Sequence, residues 1–221
     1  MIFHVYSAYT PTNIDTIRRM RLARRTWDVQ PWSDLPVKEE RTRLFRDRAG
    51  RIPYIKDIIH LASKLKEDVD IIVLTNADIC VAGNCCFAIV AALQSIDAAY
   101  CFRRDFVRLD VPLPLRTIKM GTHYAGSDLY AFRVGWWRTY QNHFPDMLLG
   151  RECWDAILRL LIDKTHSNKN TTLHDLIYHE RHASVWENPA NKRTLPSQMH
   201  NVSLAKSWML ANDFNPRIIG I

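Results

Sequence analysis

The chain predicts an α/β domain built on a mixed sheet flanked by helices, and three observations carry that expectation. A strand-like run, Ile2-Phe3-His4-Val5-Tyr6, opens the sequence and a helical pattern follows it. Val69 to Leu74 is a branched apolar run broken only by Asp70, the pattern of a strand covered on both faces. Elements of the two kinds then alternate, β-α-loop-α-β-α-β, instead of segregating by type.

Pro11-Thr12-Asn13 closes the first strand, which is expected over 2–9. Thr12-x-x-Asp15 forms a capping box for a helix with Ile14, Ile17, Met20 and Trp27 toward the core. Residues 28–50 are polar and interrupted by Pro31 and Pro36, and read as a long loop or short helix. Pro53 suits the first turn of the next helix, whose Ile55, Ile58, Ile59, Ala62 and Leu65 share one side. The buried strand through Leu74 leads to a helix over about 86–95 and a strand over 98–102. Residues 104–120 read as a loop and 128–133 as a short strand. Residues 152–162 read as a helix with Trp154, Ile157, Leu158 and Leu161 inward. A further helix is expected around Leu173 to Tyr178, then an irregular stretch around Pro189 to Pro196 and an end without a defined element.

The 221 residues suit a single domain, and seven glycines exclude a collagenous or low-complexity chain. The opening strand leaves no room for a signal peptide, and the longest apolar run, Cys85 to Leu93, is too short to span a bilayer. A cytoplasmic protein without a transmembrane segment is the expectation. Cys80, Cys85, Cys86, Cys101 and Cys153 form no CxxC pair and sit mostly in apolar runs, so they read as reduced core thiols. The net charge is +7, with arginines packed into 18–25 and 41–51. Such density suits a nucleotide, a nucleic acid or an acidic surface, and suits a solvated helix face equally well.

Chemistry concentrates at four places. Asn76-Ala77-Asp78 ends the buried strand, and in open α/β sheets ligands bind beyond the carboxyl ends of strands. A carboxylate there can hold a divalent cation that also grips a diphosphate, or it can cap a turn. Gly126-Ser127-Asp128 leads into a strand, where Gly126 permits close backbone approach and Asp128 offers a hydrogen-bond acceptor. Glu152 and Asp155 stand three apart at a helix start, a position that favours acidic side chains in any case. His174, His179 and His182 cluster late in the chain without the zincin spacing.

The order of these segments resembles the nucleotide-sugar glycosyltransferases of the GT-A fold, whose short acidic motif is often Asp-x-Asp. The resemblance spans roughly residues 2–182, as an order of elements with short motifs. It implies a donor half over about 1–103 and an acceptor half over about 104–221. It implies Mn²⁺ or Mg²⁺ on Asp78, completed by His179 or His182, with Asn76 on the sugar, the ribose or the cation. Ser7, Ala8 and Tyr9, where the first strand runs into its loop, would receive the nucleotide, with Arg24 and Asp57 as weaker contacts. Asp128 would bond sugar hydroxyls, and Asp155, or failing it Glu152, would serve as catalytic base. The expected donor is a nucleotide-diphosphate sugar, a UDP-sugar first, although no residue distinguishes uridine from guanosine. The acceptor is either a nucleic acid, such as a hydroxymethylated base in DNA, or a saccharide. Trp136, Trp137 and Trp186 are stacking candidates with core packing as the alternative. A non-catalytic basic nucleic-acid-binding protein is the rival reading, and it leaves Asn76 to Asp78 unexplained.

Overall fold

The computed structural model describes residues 1–8, 13–38, 41–47, 50–64, 66–166, 169–182 and 195–221. Nine strands and seven α-helices occur among them. The strands are β1 (Ile2–Ala8), β2 (Ser33–Lys38), β3 (Leu44–Asp47), β4 (Gly50–Pro53), β5 (Ile71–Thr75), β6 (Cys80–Val81), β7 (Ala98–Phe106), β8 (Thr122–Arg133) and β9 (Thr172–Glu180). The helices are α1 (Ile14–Trp27), α2 (Ile55–Ser63), α3 (Cys85–Ala92), α4 (Leu115–Ile118), α5 (Val134–Tyr140), α6 (Trp154–Thr165) and α7 (Pro196–Ala211). Seven strands form one mixed sheet in the order β2-β1-β5-β8-β7-β9-β6, while β3 and β4 pair as a separate hairpin. β8 runs antiparallel between β5 and β7, so β1, β2, β5, β7 and β9 all end at the same edge.

The two-residue period of the strands divides the core into two layers. Phe3, Val5, Ile72, Leu74, Tyr130 and Phe132 face one layer, closed by α2, α5, α6 and α7. Tyr6, Ile71, Val73, Leu129 and Ala131 face the other, which holds α1 and α3. Each large side chain removed from water in this way contributes roughly 1.5–3 kcal/mol. Trp136 and Trp137 belong to the first layer as buried core residues, and Trp186 lies outside the described residues. All five cysteines are buried free thiols. No helix among the described residues is long and apolar enough to cross a membrane.

Several local expectations give way to the packing. Residues 33–38 form an edge strand despite Pro36, which sits at the sheet's margin opposite Tyr6, where a missing N–H is tolerated. Leu44–Asp47 and Gly50–Pro53 pair antiparallel, so Pro53 ends a strand and α2 starts two residues later. Helix α1 is capped by the Asn13 side chain, which accepts from the amides of Asp15 and Thr16; Thr12 lies outside the described residues. Its buried face is Leu22, Ala23, Thr26 and Trp27, whereas Ile14 is 80% exposed. Strand β7 continues four residues past Phe102, and β8 is twelve residues long.

The largest correction concerns Leu173 to Tyr178, a strand and not a helix. Leu176, Ile177 and Tyr178 are buried between β7 and β6, and a run this short is helical or extended according to what it pairs with. The tail forms α7, opened by Pro196 at the first turn. Asn201 on α7 is fully buried: its amide accepts from Leu148 N at 2.8 Å and donates to Leu148 O and Glu152 O at 3.0 and 3.2 Å. Asn201→Ala strands those backbone groups, and a loss of about 1–3 kcal/mol of stability is expected. Urea denaturation monitored by tryptophan fluorescence measures it.

Candidate metal and carboxylate site

Because the parallel strands end at one edge, the chain passes from each of them into a common region. Beyond β5 comes the turn Asn76-Ala77-Asp78; β7 ends through Arg103 and Asp105; β9 ends through His179. Irregular register places these side chains. The β7–β9 pairing shifts between Cys101 and Arg103, where β9 accommodates extra residues with Asp175 at φ +57°, and pairing resumes with Asp105 opposite His179. Such bulges re-aim side chains at the ends of strands.

Asp78, His179 and His182 bring three potential ligand atoms within 4.8 Å of one another. Asp78 Oδ2 lies 3.1 Å from His182 Nε2 and 3.5 Å from His179 Nε2. Adjacent ligands on an octahedral ion with bonds near 2.1 Å stand about 3 Å apart, so these spacings approach those of a filled site. His179 Nδ1 is 3.3 Å from Asp105 Oδ1. That contact orients the ring and leaves Nε2 for a metal, the role carboxylates play behind metal-bound histidines. Two imidazoles and one carboxylate fit a first-row transition ion better than Mg²⁺, which prefers oxygen.

A second network adjoins the first. Arg103 donates to Asp105 Oδ1 at 2.8 Å and to Asp128 Oδ2 at 2.7 Å, and the Asn76 amide donates to Asp128 Oδ1 at 2.6 Å. The Arg103 guanidinium lies 3.8 Å from the centroid of the Tyr124 ring. Tyr124 in turn occupies the space that a side chain at 126 would need: a Cβ on Gly126 would collide with its ring and lie 3.4 Å from Asp155 Oδ2. The Tyr130 hydroxyl lies 2.8 Å from Asp155 O and 3.0 Å from Ser127 O, fixing the start of α6 against β8. Just before that start, Cys153 adopts a left-handed φ of +77°, a costly conformation for a residue with a side chain.

The electrostatics follow from burial and pairing. Burial opposes the charge on Asp78, but hydrogen bonds from His179 and His182 outweigh it and hold the carboxyl well below the usual range. Burial would lower His179, yet its bonds to Asp105 and Asp78 carry it up to about 9. Asp105 is lowered because its bond to His179 and the charge of Arg103 overcome burial. Asp155 is different: burial and then the nearby Asp128 charge push it up to about 6.

The structure thus gathers Asn76, Asp78, Asp128, Asp155, His179 and His182 at one edge. Ser7 is buried near the end of β1, two residues beyond Val5, whose partner Leu74 stands two residues before Asn76. Ala8 is the last residue of β1, and Tyr9 lies outside the described residues. Arg24 instead donates to the Tyr6 hydroxyl, and Asp57 is taken by Arg43, 2.8 Å away. Glu152 is drawn toward α7 by a bond from its amide to Gln198. His174, at the start of β9, is exposed and is not part of the triad. Arg103, Asp105 and Tyr124 were not foreseen; the only signal was an acidic residue a few positions past a predicted strand.

No protein-family model matches the chain, and no curated protein matches it in sequence.

The raised value for His179 favours folding below its unfolded value of about 6.5, and that contribution disappears as pH rises through about 9. In the metal-free protein the His179 ring should titrate near 9 by NMR, and Asp105→Asn should lower its midpoint. Because a metal needs neutral nitrogen, its affinity should rise across the same interval. An unchanged midpoint in the Asn variant would show that Asp105 does not hold the ring.

Proposed function

We propose that the protein is a glycosyltransferase of GT-A type that moves a sugar from a nucleotide diphosphate to a hydroxyl acceptor. The observation that carries the reading is the convergence of Asp78, His179 and His182 at the strand ends, with Asp155 beside them across Asp128. When bound, a divalent cation would supply Lewis-acid charge to the departing diphosphate. Asp78 and the two histidines would hold it, and Asp105 would keep His179 turned toward it.

The remaining roles belong to the chain itself. Asp128 is fixed by Arg103 and Asn76, and its carboxylate would accept from sugar hydroxyls through its remaining lone pairs. Asp155 has the attributes of a base: it is carried at a helix start, beside Gly126 and the Tyr124 ring packed on it, and burial with the nearby Asp128 charge pushes it up to about 6. Above that pH it is charged and able to take the acceptor proton. A saccharide hydroxyl and a hydroxymethylated base in DNA both satisfy this chemistry.

A second reading draws on the donor set alone, since two histidines and a carboxylate also occur at non-haem iron(II) oxygenase centres. It requires ferrous iron and dioxygen and makes no demand for a nucleotide.

Calorimetric titration with nucleoside diphosphates and their sugars, with and without Mn²⁺, separates the two. Metal-dependent binding is expected, weakened at least about 100-fold in Asp78→Ala, since losing even a ligand's supporting partner costs 10–100-fold. Failure of every nucleotide to bind the folded protein would falsify sugar transfer, and iron-dependent oxygen uptake would replace it. Once a donor is known, Asp155→Asn should lower turnover by about 10²–10⁴-fold while donor affinity holds, and the wild-type rate should fall below pH about 6. Equal loss of both would make Asp155 a donor contact instead of a base.

A further inference from the structure

Away from the carboxylate cluster, α1 and the segment between β7 and β8 enclose two adjoining grooves. One, about 510 Å³, is lined by Val29, Val81, Pro112, Leu113 and Leu115 together with Arg25. The other, about 220 Å³, is lined by Ile14, Ile17, Leu22 and Leu109 together with Arg18, Arg21 and Arg25. Arg25 belongs to both, so the grooves form one face. Positions 14, 17, 18, 21 and 25 recur at helical spacing and make a single stripe of α1, which Val29 extends into the following turn.

Large aliphatic side chains here stand in water: Ile14 is 80% and Val29 70% exposed, and Val111, between the groove-lining Asp110 and Pro112, is 58% exposed. Further along the same segment Val107 and Met120 are almost fully exposed, with Arg116 and Lys119 exposed near them. The charge is one-sided. Arg21 and Arg25 have no ion-pair partner among the described residues, and Arg18 is held by Glu180. Asp110 lines the smaller groove, and it is already met by Arg108 at 3.1 Å and by Arg18 at 3.9 Å.

We infer that this face docks the protein on an anionic lipid bilayer. Aliphatic side chains interleaved with unpaired arginines match a surface whose interior is hydrocarbon and whose headgroups carry negative charge. A single-stranded nucleic acid would call for aromatic stacking platforms, and none of the residues lining either groove is aromatic. The face is fastened to the fold: the Glu180 carboxylate accepts from Arg18 and from Leu109 N, tying α1 and the segment to the end of β9. This inference stands on the surface alone and does not require sugar transfer.

Co-sedimentation with vesicles tests it. The full chain is mixed with vesicles of phosphatidylcholine alone or with added phosphatidylserine. Binding is expected to the anionic vesicles, to weaken as salt is raised, and to be slight on phosphatidylcholine alone. Two variants are read alongside, Arg21→Glu with Arg25→Glu and Val29→Asp with Val111→Asp, with circular dichroism as the check on folding. Each should lower the bound fraction about tenfold or more. No binding by the folded wild type overturns the inference, as does binding that ignores the charge reversal. Loss on charge reversal with the Val variant unaffected overturns it too, because the apolar residues then take no part. Salt-sensitive binding to a single-stranded oligonucleotide, lost in the Arg variant while vesicles remain unbound, assigns the face to nucleic acid.

Discussion

Arg103 holds the candidate site together electrostatically. Its guanidinium bonds two carboxylates from different strands, Asp105 on β7 and Asp128 on β8, and stacks on Tyr124. Through Asp105 it reaches His179, and through Asp128 it reaches Asn76 at the end of β5. Four carboxylates, those of Asp78, Asp105, Asp128 and Asp155, crowd this edge, and Arg103 is the permanent cation bonded among them. Leaving buried like charges unbalanced is costly, and the compensation comes from the raised Asp155, from protonated histidine or from a bound ion. The elevated His179 and the metal-like spacing of the triad are two expressions of the same deficit of positive charge.

Backbone architecture sets where that deficit appears. Inserting β8 antiparallel between β5 and β7 leaves the parallel strands ending together, so acidic turns distant in sequence share one region. The irregular pairing around Cys101 to Arg104 then decides which side chains point inward. A net charge of +7 on the chain coexists with an acidic centre, because the arginines are largely spent elsewhere. Arg18 and Arg43 clamp carboxylates that hold segments in place, while Arg21 and Arg25 line the face beside α1.

Much of the fold was legible because its signals are local. The branched apolar run through Leu74 suits a buried strand, and the isoleucines of α2 and the leucines of α6 repeat at helical intervals. Asp78 and Asp155 drew attention by position, one at a strand's carboxyl end and one at a helix start beside Glu152, and the structure brings both to the same edge. What escaped was set by partners far along the chain. Leu173 to Tyr178 carries no periodicity that separates strand from helix, and only its place between β7 and β6 settles the matter. Asp105 looked like part of a charged loop, since its role depends on the register that sets it opposite His179. Arg24 and Asp57 were plausible nucleotide contacts by residue type, but Tyr6 and Arg43 are their nearest partners.

The separation between Asp78 and His182, 104 residues, has a meaning in time as well as in space. Asp78 leaves the ribosome long before the strand that carries His179, and α7, which steadies the approach to Asp155 through Asn201, is made later still. At about 5–20 residues per second, the first carboxylate waits about 5–20 seconds for its histidines. Until then the chain carries Asp78 and neither histidine of the triad. Assembly of the site is thus tied to the closing of β9 beside β7, a long-range event of the kind that makes folding slow.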